Sequence, residues 1–168
     1  VNNAGITRDG FLKKMTPEDW YAVINTNMNS VFNVTRQVIE GMGERGWGRV
    51  INISSVNAIK GQFGQTNYSA AKAGMHGFTK ALAQEVVKKG VTVNTISPGP
   101  IGDTEGVRRM YIETGRSDIE TKKTALGRFG RKSEIANAAI YLASDLAGYV
   151  TGENLIVDGG RWLKYVAA

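Results

Sequence analysis

The 168-residue sequence contains no cysteine and a single histidine, His76. Without cysteine, the chain can form neither a disulfide bond nor a thiolate metal site. One histidine also excludes a histidine-rich metal site, and a catalytic triad with a histidine base would have to use His76. We therefore expect no bound metal.

Long hydrophobic runs are also lacking. No stretch of about eighteen consecutive apolar residues is present, so the sequence predicts no transmembrane helix. The sequence also lacks the basic start and short apolar run of a signal peptide. We expect no membrane partner and a cytoplasmic location.

Acidic residues are outnumbered, with 15 Asp and Glu against 21 Lys and Arg and a net charge of +6. Much of the basic charge lies in the second half of the chain, at Arg108, Arg109, Arg116, Lys122, Lys123, Arg128, Arg131 and Lys132. One interpretation is a solvated surface; the other is attraction for a phosphorylated ligand such as a nucleotide or coenzyme A. No aromatic platform interleaves with these charges and no nucleic-acid motif occurs, so we expect no nucleic-acid partner.

Periodic segments alternate along the chain. The pattern predicts helices over residues 16–43, 68–89 and 133–144, with Thr16 and Ser133 as N-caps, and strands over residues 49–53, 91–96 and 154–157. Residues 102–132 carry no strong pattern and are long for a plain loop, which is typical of a lid over a binding site.

Strands that alternate with helices predict a Rossmann-like, doubly wound parallel sheet in one α/β domain over residues 1–168. Ligands should bind beyond the carboxyl ends of its strands. Val1 resembles the last residue of a strand, and no glycine-rich turn follows a strand and opens a helix anywhere in the sequence. We therefore expect an N-terminally truncated domain that binds a nucleotide weakly.

Four polar residues stand out as candidates for chemistry. Tyr68 and Lys72 are four residues apart in a predicted helix and share a face, where an ammonium group would lower the pKa of the phenol. Such a tyrosine can act as a general acid or base, and Ser55, after a predicted strand, could hold a carbonyl oxygen beside it. Asn27 lies inside a predicted helix. Because asparagine is a poor helix former, its presence there indicates a specific role. Any one of these features alone would be unremarkable.

As an ordered set, the motifs resemble the short-chain dehydrogenase/reductase family. The matching segments are Asn2-Asn3-Ala4-Gly5, Asn25-Thr26-Asn27, Ile53-Ser54-Ser55, Tyr68-Ser69-Ala70-Ala71-Lys72, Ser97-Pro98-Gly99 and Asp158-Gly159-Gly160. The resemblance implies that Tyr68 protonates a substrate carbonyl while Ser55 holds its oxygen. It also implies that Lys72 lowers the pKa of Tyr68 and binds the nicotinamide ribose, and that Asn27 holds a water that feeds protons toward Lys72.

Two segments indicate a particular subgroup of this family. Residues 2–9 and 61–68 are similar to acetoacetyl-CoA reductases and to the related beta-ketoacyl-carrier-protein reductases. This likeness implies an acyl-CoA pocket lined by Asp9, Gln62, Phe63 and Gln65. It implies cofactor contacts from Asn3, Ala4, Gly5, Tyr68, Lys72, Pro98, Gly99 and Ile101. Residues 98–109 are more similar to 2,4-dienoyl-CoA reductases, so the exact acyl substrate stays open.

We therefore expect reduction of a 3-ketoacyl-CoA to the 3-hydroxyacyl-CoA with NADPH, or with NADH. The resemblance further implies a homo-oligomer, a tetramer or a dimer, built on the helices at 16–43 and 68–89. Two alternatives assume a truncated chain without reductase activity. One is an ester hydrolase with Ser55 as nucleophile, although no Gly-x-Ser-x-Gly elbow occurs; the other is a non-catalytic oligomerising fragment.

Overall fold

The computed structural model of the protein describes residues 1–163, so the last five residues of the predicted domain lie outside it. Its sheet has three parallel strands in the order β1-β2-β3: β1 is Gly48–Ile53, β2 is Val91–Pro98 and β3 is Asn154–Val157. Asn2 adds a parallel bridge to Asn52 on the free side of β1. All three predicted strands and their parallel pairing are confirmed.

Helices connect the strands. The longer ones are α1 (Pro17–Ile24), α2 (Ser30–Glu44), α4 (Thr66–Val86) and α7 (Lys132–Ala143); the short ones are α3 (Asn57–Lys60), α5 (Glu105–Val107) and α6 (Ser117–Thr121). One π-helical turn, Asn25–Asn29, joins α1 to α2. Together with the strands, these helices confirm the predicted parallel α/β architecture.

The two predicted helix caps have different outcomes. Thr16 accepts a hydrogen bond from the backbone N–H of Asp19 at 3.1 Å, as predicted. Ser133 lies inside the first turn of α7 instead of capping it. The carboxylate of Glu134 reaches back to the backbone N–H of Arg131 at 2.8 Å, and Arg131 is the N-cap, two residues before the serine.

Apolar side chains cover both faces of the sheet. On one face, Val50 and Val93 pack with Ala83 and Val86 of α4. On the other face, Ile51 and Ile96 pack beneath α7 and the residues that follow it; the cluster also contains Leu142 and Ala147. Because alternate residues of each strand point to opposite faces, both faces are buried, as a doubly wound sheet requires.

A line of buried polar side chains crosses the sheet. Asn2 donates through Nδ2 to Thr35 Oγ1 at 3.1 Å and to Asn52 Oδ1 at 2.8 Å. Asn52 donates in turn to Thr79 Oγ1 at 2.9 Å, and Thr79 shares a hydrogen bond of 2.7 Å with Thr95. This network ties the first residues of the chain to α2, β1, α4 and β2.

The segment predicted as a lid consists of short helical turns with both ends fixed at one place. Gly102 N donates to Gly130 O at 2.9 Å, and Gly130 N donates to Pro100 O at 3.0 Å. Arg108 pairs with Glu105 and Glu113 on its surface. Among residues 1–163, no helix is both long and apolar enough to cross a membrane.

The polar network yields a stability prediction. Asn52→Ala should lower the free energy of unfolding by about 2 kcal/mol, because it leaves the Asn2 amide without its buried acceptor and Thr79 without its donor. The control is Asn29→Ala, which removes an exposed hydrogen bond to Asn25 and should cost no more than about 0.5 kcal/mol. Urea unfolding measures both, and equal losses would contradict the role of the network.

Candidate active site

One cavity of about 1230 Å³ opens at the carboxyl ends of the strands. Ser55 reaches it just beyond β1, Pro98 and Gly99 from the end of β2, and Tyr68 and Lys72 from the first turns of α4. Residues from the segment after β2 close the opposite wall. This is the edge of a parallel sheet at which ligands bind, as the sequence predicted.

The hydroxyl of Ser55 has partners on two sides. Its Oγ accepts a hydrogen bond from the backbone N–H of Asn57 at 3.1 Å, and it shares a hydrogen bond with Tyr68 that lowers the pKa of the phenol. The neighbouring Ser54 donates from Oγ to the backbone carbonyl of Lys72 at 2.8 Å. These two hydroxyls join the end of β1 to α3 and α4.

Lys72 is almost fully buried. Its Nζ donates to the carbonyl oxygen of Ile53 at 2.6 Å and lies 5.8 Å from the ring centre of Tyr68. Because burial disfavours the charged form, the pKa of Lys72 falls to about 8. The proton on this ammonium group is therefore labile close to neutral pH.

Tyr68 lies beside both residues. Burial raises the pKa of its phenol, the hydrogen bond with Ser55 lowers it, and the charge of Asp9 raises it. The lowering expected from Lys72 is not among these causes, because the ammonium group lies against the ring and is bound to Ile53. A phenol with a raised pKa is protonated at neutral pH, which is the form that a general acid requires.

Asn27 is fully buried in the π-helical turn and lies off the cavity wall. Its Oδ1 accepts from Ile6 N at 2.8 Å and its Nδ2 donates to Ile6 O at 3.0 Å. The amide thus clamps the loop that contains Gly5. An ideal Cβ on Gly5 would lie 3.4 Å from Lys72 Nζ, so the clamp brings this loop close to the lysine. The clamp uses one proton and one acceptor position of the amide, and the expected role of Asn27 in holding a water stays a prediction.

Most residues predicted to contact a cofactor line the cavity. Asn3, Gly5, Pro98, Gly99 and Ile101 line it with Tyr68 and Lys72, whereas Ala4 lies off its wall. A Cβ on Gly99 would lie 2.7 Å from Asp158 Cα, so only glycine allows β2 and the turn after β3 to approach so closely.

Two of the four residues predicted to contact substrate line the cavity, and two do not. Gln62 and Gln65 line the cavity, whereas Asp9 and Phe63 do not. Gln65 is buried, with its amide bonded to Asp9 Oδ2 at 2.9 Å and to Asn57 Nδ2 at 3.0 Å. Phe63 is 81% exposed and packs edge to face on Phe11.

One residue that the sequence did not single out is Asn67, directly before Tyr68 and fully buried. Its Oδ1 accepts from Tyr68 N at 2.7 Å, and its Nδ2 donates to Arg8 O at 3.0 Å and, more weakly, to Asp19 O at 3.4 Å. A polar residue at a helix start was the available signal; its distant backbone partners could not be read from the sequence.

Within residues 1–163, no three His, Asp or Glu side chains come together as a metal site. The charged and polar side chains of the cavity wall that the sequence did not single out include Lys60, Tyr111, Glu120 and Arg161.

Comparison with known proteins agrees with this arrangement. The family model described as enoyl-(acyl carrier protein) reductase matches residues 1–161. Nodulation protein G of Azospirillum brasilense is 60% identical over 160 residues, which are 95% of this chain and 64% of that protein. Acetoacetyl-CoA reductase of Cupriavidus necator is 56% identical over 163 residues, 95% of this chain and 64% of that protein. The 3-oxoacyl-[acyl-carrier-protein] reductase FabG of Pseudomonas aeruginosa is 47% identical over 98% of this chain and 65% of its own length.

The fold and the site thus define a Rossmann-like α/β protein with a tyrosine–lysine–serine cavity at the carboxyl edge of its sheet. The chain belongs to the short-chain dehydrogenase/reductase family. It spans slightly less than two thirds of the length of the curated relatives named above.

The pKa of Lys72 makes stability depend on pH. The folded pKa is about 8 against 10.5 for a free lysine, so the unfolded chain binds this proton more tightly and stability rises with pH between these values. From about pH 7 to pH 9, wild type should gain about 1 kcal/mol of unfolding free energy relative to Lys72→Met. Urea unfolding at both pH values measures this gain, and a constant or shrinking difference would refute the burial argument.

Asn67 yields a second prediction for the site. Asn67→Asp keeps the shape but sets a carboxylate against the carbonyl oxygens of Arg8 and Asp19, so it should cost about 2 kcal/mol of unfolding free energy at neutral pH. The matched control is Asn33→Asp on the exposed side of α2, with a cost within about 0.5 kcal/mol. Thermal or urea unfolding measures both, and a small loss for Asn67→Asp would show that its amide is not essential.

Proposed function

We propose that the protein reduces a 3-ketoacyl-CoA thioester to the 3-hydroxyacyl-CoA with NADPH as hydride donor. The observation that carries this proposal is the convergence of Ser55, Tyr68 and Lys72 on one cavity at the carboxyl edge of the sheet. The names of two relatives, acetoacetyl-CoA reductase and 3-oxoacyl-[acyl-carrier-protein] reductase, support the substrate class.

The cavity suits a nicotinamide cofactor at the end formed by Asn3, Gly5, Pro98 and Gly99. The backbone of Gly5 lies close to Lys72, since a Cβ on Gly5 would be 3.4 Å from Lys72 Nζ. Lys72 would hold the ribose of the cofactor. When bound, the cofactor would supply hydride to the carbonyl carbon of the substrate. The preference for NADPH over NADH rests on the family likeness alone.

Ser55 and Tyr68 would bind and protonate the carbonyl oxygen of the substrate. Ser55, which lies in hydrogen-bond reach of Tyr68, donates its hydroxyl proton to that oxygen when substrate is bound and orients the carbonyl towards Tyr68. Tyr68, protonated at neutral pH, transfers its proton to the oxygen as the carbon gains hydride, which yields the alcohol.

Two further features support parts of the proposal. Residues 102–132 would act as the lid over the acyl chain, since Met110 and Tyr111 already line the cavity. The exposed apolar residues Phe32, Val34 and Val38 on α2 support a homo-oligomer built on this helix. A dimer or tetramer and a cytoplasmic location both stay predictions.

The direct test is replacement of the acid. Tyr68→Phe keeps the ring but removes the proton, so kcat for acetoacetyl-CoA reduction should fall by at least about 100-fold with little change in KM. Tyr141→Phe, on the exposed face of α7, is the control and should be unchanged. Oxidation of NADPH followed by absorbance measures both. Undiminished reduction by Tyr68→Phe would overturn the assignment.

Ester hydrolysis assays on purified wild type and Ser55→Ala distinguish the reductase proposal from the hydrolase alternative. Under the reductase proposal, hydrolysis of an ester substrate does not depend on Ser55 or on the cofactor. Hydrolysis that Ser55→Ala abolishes, and that NADPH does not affect, would favour Ser55 as a nucleophile instead.

A further inference from the structure

A second group of charged side chains lines the cavity, and the proposed reduction does not use it. It comprises Lys60 at the end of α3, Glu120 on α6 and Arg161 after β3. The Glu120 side chain is only 4% exposed. Its Oε1 accepts from Arg161 Nε at 3.0 Å and Nη2 at 2.9 Å, and its Oε2 accepts from Lys123 Nζ at 3.0 Å.

This group carries more positive than negative charge. Lys60 Nζ donates to Gln62 Oε1 at 2.7 Å and to Gly61 O at 3.1 Å, which are neutral acceptors. Burial lowers the pKa of Lys60, and the charge of Arg161 lowers it further while Glu120 opposes. In the described part of the chain, the charges that act on Lys60 are therefore two cations, Arg161 and Lys123, and one carboxylate, Glu120. Such a wall favours the arrival of an anion.

The charged group shares its cavity with the residues of the proposed reduction. Tyr68 and Gln62 line the same cavity as Lys60, Glu120 and Arg161. Gln62 Oε1 also accepts the hydrogen bond of Lys60 Nζ at 2.7 Å. A ligand bound in this cavity therefore meets both Tyr68 and the charged group.

The buried carboxylate of Glu120 has a positioning effect. A buried ion is stable only if its hydrogen bonds are satisfied, and Arg161 and Lys123 satisfy those of Glu120. Because Arg161 is bonded through two nitrogens, its guanidinium is fixed against the cavity wall by a residue of α6.

We infer that Lys60 and Arg161 form an anion-binding subsite that holds a phosphate or carboxylate group of the substrate while its carbonyl lies at Tyr68. Glu120 orients Arg161 in this subsite. The description of the ligand as an acyl thioester rests on the proposed function, whereas the charge selectivity does not.

Calorimetric binding of matched ligands to the purified protein tests the subsite without turnover. Acetoacetyl-CoA is compared with acetoacetyl-pantetheine, which lacks phosphate. A 3-oxoacyl-pantetheine with a terminal carboxylate is compared with its methyl ester. The variant is Lys60→Gln, at an exposed position, and the matched control is Lys122→Gln, an exposed lysine that lies off the cavity wall.

We expect Lys60→Gln to raise the Kd of the charged member of one pair by about tenfold, the worth of one charge-assisted hydrogen bond. The uncharged ligand of that pair should bind to wild type and to Lys60→Gln with the same Kd. The control Lys122→Gln should leave the Kd of both ligands unchanged. The pair that responds shows whether the anion is phosphate or carboxylate. Equal changes for charged and uncharged ligands, no change at all, or no binding of either charged ligand by wild type would overturn the subsite. Loss of reductase activity would be a separate result, because binding alone is measured.

Discussion

The hydrogen bond from Lys72 Nζ to the carbonyl oxygen of Ile53 is the constraint on which the site depends. With the bond from Ser54 Oγ to the backbone of Lys72, it fastens the first turns of α4 to the end of β1. Tyr68 and Ser55 are therefore held close enough to share a hydrogen bond. The same burial that holds the ammonium group lowers its pKa to about 8, so one contact determines both the geometry and the proton affinity of the site.

Hydrogen bonds from three asparagine side chains fix the loops around the site. Asn27 clamps Ile6, Asn52 links Asn2 to Thr79, and Asn67 joins the loop at Arg8 to α4. Each amide is buried, and a buried amide without partners costs free energy. The loops are therefore held in the conformation that satisfies these groups, which places them around the cavity without disulfide bonds.

Patterns that repeat over short distances predicted the fold well. The β-branched runs that became β1 and β2 and the small residues of α4 are local signals, and the parallel order follows from their alternation. Long-range partners could not be predicted. The π-helical turn around Asn27 and the contacts of Asn67 depend on segments far away in sequence. The exposed position of Phe63 and the ion pair of Glu120 with Arg161 likewise depend on tertiary packing.

The central claim is that Lys72 helps to form a nicotinamide site at this edge of the sheet. A fluorescence titration of the purified protein with NADPH tests it most directly, with NADH alongside. Wild type should bind saturably, and Lys72→Met should bind at least about tenfold more weakly, the worth of one charge-assisted hydrogen bond, while Lys80→Met, on the exposed face of the same helix, should match wild type. No saturable binding by wild type, or equal affinity in Lys72→Met, would contradict the account.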